Sequence, residues 1–165
     1  MVSLQVDPDR PDAEGVARAA AILRGGGIVA YPTDTLYGLA VDPANRAAVQ
    51  QLYRIKGRSV DQAIPLVASS ERQIVERTGP LAPLAARLAR QFWPGPLTLV
   101  LAAWPGLDEA IHAGTGTVAI RVPASRLARD LAAACGWPVT STSANRSGEP
   151  APSRADEVRL GLTDV

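Results

Sequence analysis

Lys56 is the one lysine of a chain that carries 16 arginines, and it stands two residues before Arg58. With Arg46 and Arg54 these cations fall within thirteen residues that hold no carboxylate. Two accounts fit. Cations at the C-terminal end of a helix interact favourably with its macrodipole. Alternatively, a point charge from Lys56 and a planar fork from Arg58 converge on a polyanion, which is phosphate-binding chemistry. A second group is Ser141-Thr142-Ser143-Ala144-Asn145-Arg146-Ser147-Gly148. Short hydroxyl and amide side chains after a strand make ordinary turns, but they also offer small donors to ligand oxygens outside a strand's carboxyl end. Tyr31-Pro32-Thr33-Asp34-Thr35-Leu36-Tyr37-Gly38-Leu39 brings paired hydroxyls to another strand end. Arg121 closes the apolar run Thr117-Val118-Ala119-Ile120. A guanidinium there needs an anionic partner, from protein or ligand. Together these groups suit a small site for a phosphate and a carboxylate.

The elements that must carry them follow from periodicity and punctuation. Pro11 to Arg24 reads as a helix with Val16, Ala19, Ala20 and Leu23 on one face, ended by Gly25-Gly26-Gly27. Ile28 to Tyr31 is a short buried strand stopped by Pro32, followed by a loop at Thr33-Asp34-Thr35. Asn45 caps a helix bearing Ala48, Val49, Leu52 and Ile55, which runs out at Lys56-Gly57-Arg58. Ile64 to Ala68, Leu97 to Ala103, Thr117 to Val122 and Val139 to Thr142 read as strands. Between them come a short helix from Ser70-Glu71, one carrying Leu84, Leu88 and Phe92, and one from Ser125 through Cys135. Strands alternating with helices predict an α/β domain with a mixed sheet.

Composition limits the alternatives. The 165 residues suffice for one domain that buries roughly 70% of its unfolded surface. Hydrophobic residues make up 47% but aromatics only 4%, so the core is aliphatic. Seventeen basic against 16 acidic residues give a net charge of +1, which excludes a highly charged disordered chain and carries no global sign of nucleic-acid affinity. One cysteine and one histidine leave no intrachain disulfide and no Cys/His zinc site. Neither a basic, apolar leader nor a run of ~20 apolar residues is visible, so a soluble cytoplasmic protein is expected.

Several motifs fail on context. Gly25, Gly27 and Ala30, then Gly114, Gly116 and Ala119, match G-x-G-x-x-A, but both precede strands where a dinucleotide fingerprint must follow one. No P-loop is present. His112, in a Gly-flanked loop, has no nameable nucleophile or acid partner and reads as structural. Tyr53 reads as a packing residue.

Five segments, Tyr31–Leu39, Lys56-Gly57-Arg58, Phe92-Trp93-Pro94-Gly95-Pro96-Leu97-Thr98, Thr117–Pro123 and Thr140–Asn145, resemble the YrdC family in order and spacing over about residues 12 to 152. The resemblance implies an open, twisted mixed α/β sheet with flanking helices and a concave central cavity. It implies L-threonylcarbamoyladenylate synthesis, in which L-threonine, bicarbonate or CO2, and ATP give threonylcarbamoyl-AMP and pyrophosphate. Threonylcarbamoyl-transferase proteins then modify tRNA. The family signature falls on Lys56, Arg58, Ser143 and Asn145, expected around the nucleotide phosphates, with Lys56 and Arg58 as the catalytic pair. Gln62 and Thr117 match ATP contacts; Thr35, Arg121 and Ser141 match positions holding L-threonine. Mg2+ is expected through the phosphates, with no protein metal cage. Ser59 and Val67 stand where relatives often carry proline and histidine. The expectation is a single domain over residues 1–165, without the segment with which family members usually continue to cover the nucleotide. Two other readings stand beside the synthase: a non-catalytic RNA-binding module of the same fold, with weak tRNA binding, and a carbamoyl-transfer domain of hydrogenase-maturation type.

Overall fold

The computed structural model describes residues 2–162. α1 (Ala13–Arg24) starts where the Asp12 carboxylate accepts the Gly15 N–H, giving one free donor of the first turn a partner. A hairpin follows, β1 (Val29–Pro32) and β2 (Tyr37–Ala40). α2 (Arg46–Lys56) is capped by Asn45 as predicted, and Gly57 ends it in the left-handed region at φ 57°. Then come β3 (Leu66–Val67), α3 (Glu71–Thr78, capped by Ser70), α4 (Pro83–Phe92) and β4 (Leu99–Ala102). α5 (Glu109–His112) is a single turn before β5 (Thr117–Arg121). Ser125 caps α6 (Arg126–Cys135), Gly136 ends it, and β6 (Val139–Thr140), β7 (Thr142–Ser143) and α7 (Ala155–Gly161) follow.

The strands form two sheets. One is antiparallel, in the order β1-β2-β7; the other is mixed, in the order β4-β5-β3-β6, with only β3 and β5 parallel. The chain passes from one to the other at Ser141, whose N–H still donates to Pro65 O at 2.8 Å. Thr140 locks this crossing: its hydroxyl accepts from Val41 N at 2.9 Å and donates to Leu39 O at 3.1 Å, both buried.

Strand alternation then sorts side chains into two apolar layers. Leu66 joins Leu39, Val41, Leu52, Ile64 and Ile120, beneath α2 and α5. Val67 points the opposite way, among Ala20 and Leu23 of α1 and Ala128 and Leu131 of α6. Both faces of β3 are therefore covered, which is why Ile64 to Ala68 reads as an unbroken apolar run.

The mixed α/β architecture agrees with the sequence reading, but some elements differ. β2 falls in a segment assigned no element, and β7 overlaps the predicted strand only at Thr142, because Gly38 and the short polar residues mask strands that form by pairing with β1 and β2. α5 and α7 were not predicted. β4 lies at a sheet edge, so Val100 is 67% exposed despite its apolar neighbours. The α4 stripe also faces outward in part: Leu84 and Phe92 are exposed. Among the described residues, no helix is long and apolar enough to cross a membrane.

Candidate active site

The last turn of α2 delivers Lys56 into the interior, where it is 3% exposed. Its ammonium donates to Ser143 O at 2.5 Å, Asn145 O at 2.9 Å and Asn145 Oδ1 at 3.3 Å. All three protons therefore go to one loop. That loop is tied again by Ser143 Oγ donating to Asn145 Oδ1 at 2.5 Å and by Ser147 N donating to Lys56 O at 2.8 Å. Burial first, and the Arg58 charge second, push the Lys56 pKa down to about 8, against three acceptor oxygens that each favour the protonated form.

Gly57 reverses the chain between Lys56 and Arg58, and its positive φ is a conformation that side-chain-bearing residues rarely hold. Arg58 then lies along the start of β7: Nη2 donates to Ala63 O at 2.9 Å, and Nη1 approaches Thr142 Oγ1 at 3.5 Å. Its Nε is buried with no hydrogen-bond partner among the described residues. Arg46 and Arg54 stay exposed on α2, so only half of the cationic cluster enters the site.

A second group gathers at the far end of β5. Arg121 is half-buried, and its guanidinium makes neither a hydrogen bond nor an ion pair among the described residues. Close by, the buried Tyr31 phenol is pushed up to about 12 by burial, while a hydrogen bond with the Ser141 side chain and the Arg121 charge pull it down. Ser141 Oγ also lies against Gly38, where an added Cβ would come within 3.5 Å of it. Ser141, Arg121 and Tyr31 thus converge from three strands or strand ends.

The remaining predicted residues sit on the rims. Thr35 is exposed at the tip of the β1–β2 turn, its N–H donating to Thr33 Oγ1 at 3.4 Å. Gln62 and Thr117 are exposed, and Thr117 Oγ1 lies 3.1 Å from Thr115 Oγ1. No hydrogen bond among the described residues joins the Thr35, Gln62 or Thr117 side chain to either cluster. Thr117 and Arg121 face the same side of β5, about 13 Å apart at strand rise. His112 is engaged locally, its Nδ1 accepting from Gly116 N at 3.4 Å.

From the sequence Tyr53 reads as a packing residue, with no polar role. The Tyr53 hydroxyl lies 2.8 Å from both Gln62 O and Ala110 O, so it pins the segment after Arg58 to α5. A tyrosine at a core position of α2, where leucine would pack as well, is the signal that could have shown this. A cavity of about 540 Å3 bounded by the N-terminal segment, α1, β1 and α7 includes Tyr31 but none of the predicted site residues, and its wall is mostly aliphatic. A smaller one, about 300 Å3, reaches Asn145 beside Glu149 and Glu157.

Known proteins resemble this chain in sequence and fold. A curated threonylcarbamoyl-AMP synthase from Bacillus subtilis is 42% identical over 148 residues, covering 89% of this chain and 43% of the relative. A protein of the same name from Thiobacillus denitrificans is 40% identical, covering 84% of this chain and 74% of the relative. The crystal structure of P. abyssi Sua5 complexed with L-threonine superposes with a TM-score of 0.86 at 36% identity, covering 92% of this chain and 45% of that one. The chain thus spans less than half the length of the Bacillus and P. abyssi proteins. The family model described as Sua5_yciO_yrdC, Telomere recombination, matches residues 21–165. With that match over most of its length, and close relatives sharing two-fifths of their residues with it, the chain belongs to the Sua5/YciO/YrdC family.

Proposed function

We propose that this chain forms threonylcarbamoyl-AMP and pyrophosphate from L-threonine, bicarbonate or CO2, and ATP. The observation that carries the reading is the pair of underused guanidinium groups: Arg121, which makes no side-chain hydrogen bond or ion pair among the described residues, and Arg58 with a buried, unpaired Nε. Neither makes an ion pair with a carboxylate among the described residues, so both are available to anionic ligand groups.

In this reading Arg121 takes the L-threonine carboxylate, with Ser141 and Thr35 completing that subsite. Arg58, Ser143 and Asn145 take the nucleotide phosphates, with Gln62 and Thr117 on the rest of ATP. Lys56 contributes its charge from beneath the Ser143–Asn145 loop while holding that loop's shape. Mg2+ arrives as part of the nucleotide substrate. The threonine amine captures CO2 as a carbamate, a carbamate oxygen attacks the α-phosphorus, and pyrophosphate leaves. No protein nucleophile is needed, so the catalytic work is positioning and neutralisation of charge. The two groups adjoin along the segment from Ser141 to Asn145, which suits a mixed anhydride that reaches from one to the other. The product would pass to proteins that transfer the threonylcarbamoyl group to tRNA.

The test is pyrophosphate release from ATP and bicarbonate by the purified protein, with and without L-threonine. Threonine-dependent release is expected. Absence of release together with absence of ATP and threonine binding in calorimetry overturns the reading. Steeply salt-dependent tRNA binding in their place would make the chain an RNA module.

A further inference from the structure

Asp34 stands at the turn between β1 and β2, in a segment rich in hydroxyl residues, and sequence reading leaves it without a role. Its carboxylate is exposed, yet both oxygens are engaged across the fold: Oδ2 accepts the Ala124 N–H at 3.2 Å, and Oδ1 accepts the Ser125 N–H. These two amides end the turn that leads from β5 into α6. They lie three and four residues beyond Arg121, and Ser125 is the residue that caps α6. An ionised carboxylate is well matched to two convergent N–H groups at a helix start, and the macrodipole adds to the attraction.

The neighbours on either side make the contact consequential. Thr33 closes the Asp34 turn onto itself, its N–H and Oγ1 donating to Leu36 O at 3.1 and 2.7 Å. Thr35 follows Asp34 directly. On the other side Arg129 Nη1 donates to Pro123 O at 2.7 Å and Ala124 O at 2.6 Å, so the receiving turn is itself held by α6. The tip carrying Thr35 and the strand end carrying Arg121 belong to different sheets. Asp34 is the side chain that joins them by hydrogen bonds.

We propose that Asp34 is a positioning residue for the amino-acid subsite: it sets the distance between the Thr35 tip and Arg121, and through them the affinity for L-threonine. The proposal rests on the synthase reading for the identity of the ligand, not for the contact itself. Asp34→Ala removes both acceptors. Asp34→Asn keeps the shape but puts an NH2 group against one of the two donors.

Calorimetry with L-threonine and, separately, with ATP on the full chain tests it, together with amide exchange at Ala124 and Ser125 by NMR. Both variants are expected to bind L-threonine about tenfold more weakly, with Asn the milder, and to bind ATP as the wild type does. Amide exchange at both positions rises in the same variants. Unchanged threonine affinity overturns the proposal while leaving the synthase reading intact. An equal loss of ATP and threonine affinity with a lowered melting temperature also overturns it, since that marks general destabilisation. A wild-type protein that binds ATP but no L-threonine overturns the ligand assignment, and the amide exchange then reads the contact alone.

Discussion

At the residue scale, burial changes what Lys56 can be asked to do. Sequence reading predicts that Lys56→Ala should harm adenylate formation far more than folding. The Lys56 side chain is instead buried and supplies three hydrogen bonds to one loop, so truncation strips partners from half-buried carbonyls. Lys56→Ala should cost about 2 kcal/mol of stability as well as activity, readable by denaturant titration beside turnover. Its pKa, lowered from 10.5 to about 8, has a definite sign. Between those values the unfolded chain binds the proton and the folded chain does not, so stability from this group rises with pH across that window. Charge-dependent nucleotide binding runs the other way and should weaken as pH passes about 8, with a bound polyphosphate moving the midpoint upward. Calorimetric ATP affinity against pH, for wild type and Lys56→Met, separates the two. Arg121 makes a simpler case. With no side-chain hydrogen bond or ion pair to lose among the described residues, Arg121→Met should leave the melting temperature near wild type and raise the KM for L-threonine about tenfold or more.

At the element scale, the α2 terminus is where local structure becomes chemistry. Gly57 adopts φ 57° with open space around its Cα, so a methyl group there meets backbone strain and no steric clash. Gly57→Ala should therefore cost about 1 kcal/mol. If the left-handed turn is what aims Arg58 at Thr142 and Ala63, ATP affinity should fall in the same variant. Thermal melts with ATP calorimetry check both. This terminus was legible in the sequence: Asn45 as cap, the aliphatic face of α2 and the Lys56-Gly57-Arg58 stop all stand where periodicity sets them. β2 was not legible, because Gly38 and the surrounding polar residues have weak strand preference; the pairing partner on each side makes the strand. The exposed side of α4 was illegible for the converse reason. Its apolar spacing specifies a stripe, and only neighbouring elements determine whether a stripe is covered.

At the scale of the whole molecule, the crossing at Ser141 couples the two sheets and both subsites. The strand pair β6–β7 leaves the mixed sheet and enters the antiparallel one, so Ser141 faces Tyr31 and Arg121 while Thr142 and Ser143, one and two residues on, face Arg58 and Lys56. Thr140 anchors this route through two buried hydrogen bonds. Thr140→Val keeps the shape and takes the hydroxyl acceptor from the buried Val41 N–H, so about 2 kcal/mol of stability should be lost. Urea denaturation measures it, and an unchanged midpoint would show that the crossing is held by packing alone.

The sequence by itself determined the α/β class, the capped helices, the buried runs and the types of residue able to meet phosphate and carboxylate, because these depend on local periodicity, caps and side-chain chemistry. Only the tertiary structure decided that the Arg121 guanidinium pairs with no anion among the described residues, that the Lys56 protons are all spent on the Ser143–Asn145 loop, and that Asp34 spans two sheets. Those facts concern partners 87 to 91 residues away in the chain for Lys56 and Asp34, and for Arg121 the lack of a side-chain hydrogen bond or ion pair among the described residues. Distance and desolvation between groups so far apart in sequence exist only once the chain has folded.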